Sequence, residues 1–191
     1  MINNDSEVHK KERRDAMEIS KKLTDAINDQ INYELYSGFI YLSMASWCQE
    51  QNLPGFAHWL EVQYQEEFAH AIRFYRHVTE RGGRVIFKEI EAPKTEWTSP
   101  HEVFADAYEH ERKVTARIYR IGDIADEEKD RGAQGLLQWF YNEQVEEEKN
   151  TSEIRDNLKR MGDSAQALYM LDKELGARPP APAPPADSMA P

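Results

Sequence analysis

Between Met17 and Asn52 the only helix breaker is Gly38, and no proline occurs. Leu23, Ile27, Ile31, Leu35, Leu42 and Ala45 recur there at intervals of three, four or seven residues, which lays them along one side of a long α-helix. Three further helical stretches follow, separated by turn chemistry. Asn52 to Gly55 reads as a turn, with Pro54 in the first position of a second helix that runs to about Arg81 and stops at Gly82-Gly83. Arg84 to Thr98 is irregular and holds Pro93. Ser99 then caps a third helix, with Pro100 in its first turn and Glu102 placed as a capping-box partner; this helix runs to about Ala125. After a polar break, a fourth helix covers roughly Arg131 to Arg160 and ends at Gly162, and a short fifth covers Ser164 to Leu175.

The lengths of the breaks set the topology. Two are short and imply antiparallel neighbours, whereas the middle one, about 15 residues long, can cross the length of a bundle. The expected fold is all-α: a four-helix bundle whose second and third helices run parallel, with a long crossover between them and a short fifth helix. Residues 1–16 form a polar arm, 17–176 the bundle and fifth helix, and 177–191 a flexible proline-rich tail, because proline lacks the N–H that a helix needs.

The formal charge of −11 over 191 residues makes nucleic acid and anionic membranes poor partners and cations good ones. Cys48 is the only cysteine, so no intrachain disulfide can form; a buried, inert thiol in a reducing compartment is expected. No apolar run is long enough to span a membrane, and the N-terminus has no secretory h-region, so the cytoplasm is the expected location.

Each helix carries polar residues where its periodicity calls for core. In the first, Ile27, Ile31, Glu34, Gly38, Tyr41 and Ala45 share a face. In the second the stripe reads Phe56, Leu60, Gln63, Glu67, His70, Phe74 and Val78. In the third it is Phe104, Ala107, Glu111, Val114, Ile118 and Ile121, and in the fourth Leu137, Phe140, Gln144, Glu147, Thr151, Ile154 and Leu158. Glu34, Glu67, His70, Glu111, Gln144 and Glu147 all lie near mid-helix, so antiparallel packing brings them to one level. A lone glutamate on an apolar stripe is usually a snorkelling side chain, but four helices agreeing is not. Buried unpaired carboxylates cost several kcal/mol each, and no lysine or arginine on these stripes offsets them. Two divalent cations would. Carboxylate oxygens with a minority of imidazole suit iron, manganese or zinc. Di-metal bundles use a glutamate from each of two helices and Glu-x-x-His from the other two. Glu67-Phe-Ala-His70 is one such pair, and Gln144-Val-Glu-Glu147 is an altered second. Tyr41, two turns from Glu34, is placed to act as a redox-active neighbour. His58, His77, His101 and His110 lie off the stripes and are expected at the surface, with His9 in the polar arm. Trp47, Trp59, Trp139 and Tyr64 are expected to serve packing.

The stretches "NYELYSGFIY", "QEEFAH", "YEHE", "LLQWFYNEQVEEEK" and "LYMLDKEL" occur in the order and spacing of the ferritins, and from Met17 to Leu175 the chain most resembles the bacterial non-haem ferritins. That resemblance implies an iron-storage protein with ferroxidase activity. It implies two irons per subunit: Glu34, Glu67 and His70 at the first, and Glu67, Glu111 and Glu147 around the second with Gln144 beside it. It implies a third iron at Glu66, Glu143 and Glu146, sharing Glu147, and places Tyr41 and Trp139 near the centre. It also implies Fe(II) with dioxygen or hydrogen peroxide as reactants, and a hollow homo-oligomeric shell of twenty-four subunits. The rival haem-bearing bacterioferritin places a methionine ligand two residues before the histidine of its first Glu-x-x-His; Phe68 stands there, so no haem is expected. A di-iron redox enzyme would want a substrate cavity and a second histidine where Glu147 stands. A structural cage subunit would have lost ligands.

Overall fold

The structure, a computed structural model, describes residues 18–181. The expected arm, His9 within it, and most of the expected tail lie outside the described residues. The described residues form five helices: α1 (Lys21–Glu50), α2 (Pro54–Glu80), α3 (Pro100–Glu127), α4 (Arg131–Met161) and α5 (Ala165–Leu175). Among the described residues there is no strand, and no helix is long and apolar enough to cross a membrane.

Four helix starts follow one rule. Ser20, Ser99, Asp130 and Ser164 each accept, through a side-chain oxygen, the backbone N–H three residues on. This satisfies a donor that the helix itself cannot pair. At Ser99 the expected capping box is shifted by one residue: the Glu102 carboxylate accepts from the backbone N–H and hydroxyl of Thr98. α2 is the exception. Leu53 at its N-cap has no side-chain oxygen, and Asp172 of α5 takes over, its Oδ1 accepting from Gly55 N at 2.7 Å and Phe56 N at 3.1 Å. The short fifth helix is thus fastened to the bundle by capping another helix. α3 runs two residues past the expected end, which narrows the polar break to residues 128–130.

Contacts fix the directions. Gln30 meets Arg117 and Ser37 meets His110, so α1 and α3 are antiparallel. The tight turn at 51–53 makes α1 and α2 antiparallel, and α2 and α3 therefore run parallel. The crossover lies along α1 as an extended strap: Asn28 and Asn32 bond the backbone of Arg84, Ile86 and Lys88, and Ser43 Oγ donates to Lys94 O. From Asn28 to Ser43 the helix rises about 22 Å, so these few side chains hold the strap over much of the bundle's length.

Two apolar clusters fill the bundle. One holds Tyr41, Met44, Phe56, Trp59, Leu60, Phe104, Ile154 and Leu158, against which Leu171 and Leu175 of α5 pack. The other holds Leu23, Ile27, Ile31, Phe74, Val114, Ile118, Leu137 and Phe140, with Phe74 and Phe140 stacked 4.1 Å apart. Between them lies a buried polar layer. Cys48 is buried in the first cluster, which pushes its thiol pKa up to about 12. Of the two faces read on α1, the one through Glu34, Gly38 and Tyr41 is buried; Leu35 and Leu42 are only partly so. Asp172→Ala should lower stability by about 1–2 kcal/mol through loss of the cap on α2. Asp172→Asn should recover most of that, read as denaturation midpoints.

Candidate metal centre

The polar layer is built from one turn of each long helix. Glu34, Glu67, His70, Glu111, Gln144 and Glu147 are all buried. Gly38 allows α2 to come close to α1, since a Cβ there would lie 3.1 Å from the Tyr64 ring and 3.8 Å from the Glu67 Cβ. Glu34, Glu67 and His70 bring one ligand atom each within 4.8 Å of one another, and so do His70, Glu143 and Glu147. His70 belongs to both groups. Its Nδ1 lies 3.8 Å from Glu67 Oε2 and its Nε2 3.9 Å from Glu143 Oε1. Trp139 and Phe140 meet the imidazole edge-on and hold its plane.

The carboxylates differ in how they are satisfied. Glu34 Oε1 accepts from Gln30 Nε2 at 2.8 Å, and Glu147 Oε2 accepts from Gln63 Nε2 at 2.6 Å. Glu111 is held on both oxygens, by the Tyr41 hydroxyl and by Gln144 Nε2 at 3.2 Å. Glu34 Oε2 and Glu67 Oε2 are buried and meet no donor. A buried acceptor left unpaired is rare because it forfeits its hydration. Two such oxygens, on neighbouring glutamates beside an imidazole, suit a cation; the alternative these helices supply is a proton shared between Glu34 and Glu67.

Electrostatics point the same way. Burial, followed by the charge of Glu67, pushes the Glu34 carboxyl well above the usual range, and burial with the charge of Glu111 does so for Glu67 and Glu147. Glu111 rises to about 7, because burial outweighs the bonds from Tyr41 and Gln144 that favour its charged form. Burial and mutual repulsion thus favour the protonated forms of these groups when no metal is bound; a divalent ion would displace such protons and supply positive charge.

Each residue singled out in the sequence has a definite place. Tyr41 is fully buried against Glu111. Glu143 is half-buried beside His70, and Glu146 is exposed on the same flank of α4. Glu66 is taken up by an ion pair with Arg178 at 2.6 Å and lies in neither ligand group. His110 is not at the surface: it is buried, 2.7 Å from Ser37 Oγ and stacked on Tyr33, with its pKa lowered to about 4 by burial and then by Lys113 and Arg117. His58, His77 and His101 are only partly buried. Trp47 and Trp59 pack in the core, and Tyr64 packs against it.

The sequence reading missed Gln30 as an orienting residue. It precedes Glu34 by four residues, the same spacing that separates Gln63 from Glu67. One turn N-terminal on the same face is where a carboxylate finds a side-chain donor, so that spacing was a usable signal. Arg178 gave none, since its contact with Glu66 spans 112 residues of sequence.

Residues 24–161 match the family described as ferritin-like domain. The chain is similar to proteins named bacterial non-heme ferritin: 40% identical over 160 residues to that of Staphylococcus saprophyticus, covering 84% of this chain and 96% of the relative. The Staphylococcus haemolyticus protein of the same name is 41% identical with the same coverage. Among solved structures it is similar to an open-pore ferritin from the hyperthermophilic archaeon Archaeoglobus fulgidus, with 46% identity and a TM-score of 0.84 over 86% of this chain and 99% of that one.

The raised carboxyls set a pH dependence. A group that holds its proton more tightly when folded stabilises the fold below its ordinary pKa, and the contribution is lost as pH rises through the folded value. For Glu111 that window runs from 4.5 to about 7. The metal-free protein should therefore lose on the order of a few kcal/mol across this window, seen as a falling urea midpoint. Saturating Zn(II) should flatten the curve, and Glu67→Gln should reduce the metal-free loss.

Proposed function

The chain belongs to the ferritin family, and we propose that it stores iron, oxidising Fe(II) at a two-iron ferroxidase centre within each subunit. The observation that carries this reading is the pair of buried, donor-free oxygens on Glu34 and Glu67 beside His70, with Glu147 and Glu143 on the other side of the same imidazole. Iron is the substrate. Glu34, Glu67 and His70 hold the first Fe(II). Glu67, Glu111 and Glu147 hold the second, with Gln144 beside it and Glu67 between the two.

The chain's own part is to bind, orient and move protons. Each Fe(II) gives up one electron. Dioxygen that accepts both electrons and two protons leaves as hydrogen peroxide; hydrogen peroxide that accepts them leaves as two waters. Burial favours protons on the empty glutamates, and metal binding would release them. Carboxylates then favour Fe(III) over Fe(II), since the higher charge gains more from anionic oxygen ligands. Tyr41, whose hydroxyl donates to Glu111, would be the redox-active aromatic neighbour of the pair, supplying one electron to the oxidant when only one Fe(II) is bound. Glu143 and Glu146 flank Glu147 and would take iron leaving the pair or waiting to join it. The ferric product passes to the inside of a homo-oligomeric shell of twenty-four subunits, where acidic residues seed the mineral.

The site calls for iron without haem: Phe68, at the position where a haem-bearing relative would carry methionine, is half exposed and has no atom that ligates. The acidic charge of −11 favours gathering Fe(II) and disfavours nucleic acid and anionic lipid. The cytoplasm is the compartment that fits a protein whose one thiol is buried and free.

Two measurements test the reading. Glu67→Ala should abolish fast aerobic Fe(II) oxidation, followed by absorbance of the ferric product, while the native mass of the assembly stays the same. An unchanged rate would sink the assignment. Glu143→Ala combined with Glu146→Ala should leave the first burst of about two Fe(II) per subunit nearly intact and slow the turnovers that follow. Loss of the first burst would show that these residues belong to the pair itself.

A further inference from the structure

We infer that Arg178 is a positioning residue for the iron centre: it withdraws Glu66 from metal binding and, through Gln63, sets the direction in which Glu147 presents its oxygens. The inference rests on the reading of this site as an iron centre.

Arg178 follows α5 and lies back along α2. Its carbonyl accepts from His58 Nε2 at 2.9 Å, which pins the backbone. Its guanidinium lies 4.3 Å from the centroid of the Trp59 ring. From there Nη1 donates to Trp59 O at 3.1 Å and Gln63 Oε1 at 2.8 Å, while Nη2 donates to Glu66 Oε2 at 2.6 Å. The residues its side chain touches, 59, 63 and 66, follow the helical period, so that side chain tracks one face of α2. Pro179 and Pro180 come next; proline biases the preceding residue away from helix, so α5 cannot continue through Arg178 and carry it elsewhere.

The consequence for Glu147 follows from donor and acceptor counts. A guanidinium has five donors and no acceptor. Gln63 can face it only with Oε1, which turns the amide N–H groups the other way, and Nε2 donates to Glu147 Oε2 at 2.6 Å. Were Arg178 absent, the amide could flip and set its oxygen against a carboxylate. Arg178 therefore fixes the polarity of Gln63, and Gln63 fixes Glu147. A lysine could not do this, because a single ammonium lacks the planar fork that reaches Gln63 and Glu66 together. Glu66 is held meanwhile by a cation that belongs to the chain. Both side chains of this pair are 17% exposed, so water weakens the attraction only in part. Any iron that uses Glu66 must first displace the arginine.

The test uses the full-length assembled protein and Co(II), which is stable to air in such sites and whose visible absorption reports ligand geometry. Wild type should bind about two Co(II) per subunit. Arg178→Ala should weaken the Co(II) nearest Glu147 by about 10- to 100-fold, the usual effect of losing an orienting partner, and shift its absorption band. It should also admit a further, weaker Co(II) through the freed Glu66. Gln63→Leu cuts only the arm to Glu147, so it should shift the band without admitting the extra ion. Arg178→Lys should behave as Arg178→Ala in the band shift, and if Arg178→Ala fails to assemble, Arg178→Lys and Gln63→Leu decide the matter. Wild-type stoichiometry, affinity and spectrum in these variants would overturn the role of Arg178 while leaving the iron centre standing. Failure of wild type to bind Co(II) at all would instead overturn the iron centre.

Discussion

The buried oxygens of Glu34 and Glu67 that meet no donor are the point on which the rest of the structure turns. A bundle of this size gains its stability from apolar burial, at about 1.5–3 kcal/mol for each large side chain removed from water. An unpaired buried carboxylate costs a comparable or larger amount. The chain places its glutamates at one level and puts a full apolar cluster on either side, so the loss is confined to one layer. The two aromatic and aliphatic clusters hold the helices in register whether or not the layer is neutralised. That arrangement lets the fold precede the metal and leaves the site ready to take it.

Orientation within the layer comes from amides rather than from charges. Gln30 holds Glu34, Gln63 holds Glu147, and Gln144 shares Glu111 with Tyr41. Amides can fix a carboxyl's direction without an ion pair, so they do not compete with a cation for its charge. The arginines stand further out and act on the amides. Arg117 Nε donates to Gln30 Oε1 at 2.9 Å, and Arg178 does the same to Gln63 from the other side of the bundle. Both amides thereby have their polarity set. Two of the layer's glutamates are thus oriented by neutral amides, and each of those amides is in turn held by an arginine.

The fifth helix has a larger part than its length suggests. Asp172 caps α2, Leu171 and Leu175 close one end of the core, and Arg178, three residues past α5, reaches Gln63 and Glu66 at the edge of the polar layer. Docking of α5 and orientation of Glu147 are therefore one structural event.

Much of this was legible in the sequence because helical periodicity is local. The four stripes through Glu34, Glu67–His70, Glu111 and Gln144–Glu147 could be read from spacing alone. Every stripe residue read on α2, α3 and α4 is buried, because a residue's face on a helix depends only on its neighbours within a few turns. The breaks gave the bundle topology for the same reason, since loop length limits which helices can be neighbours. What the sequence could not decide is which side of α1 wins when two faces are apolar, that His110 turns inward to Ser37, that α2 borrows its cap from α5, and that Glu66 faces an arginine. Each of these depends on a partner tens of residues away or more, and only the packed bundle determines which partner arrives.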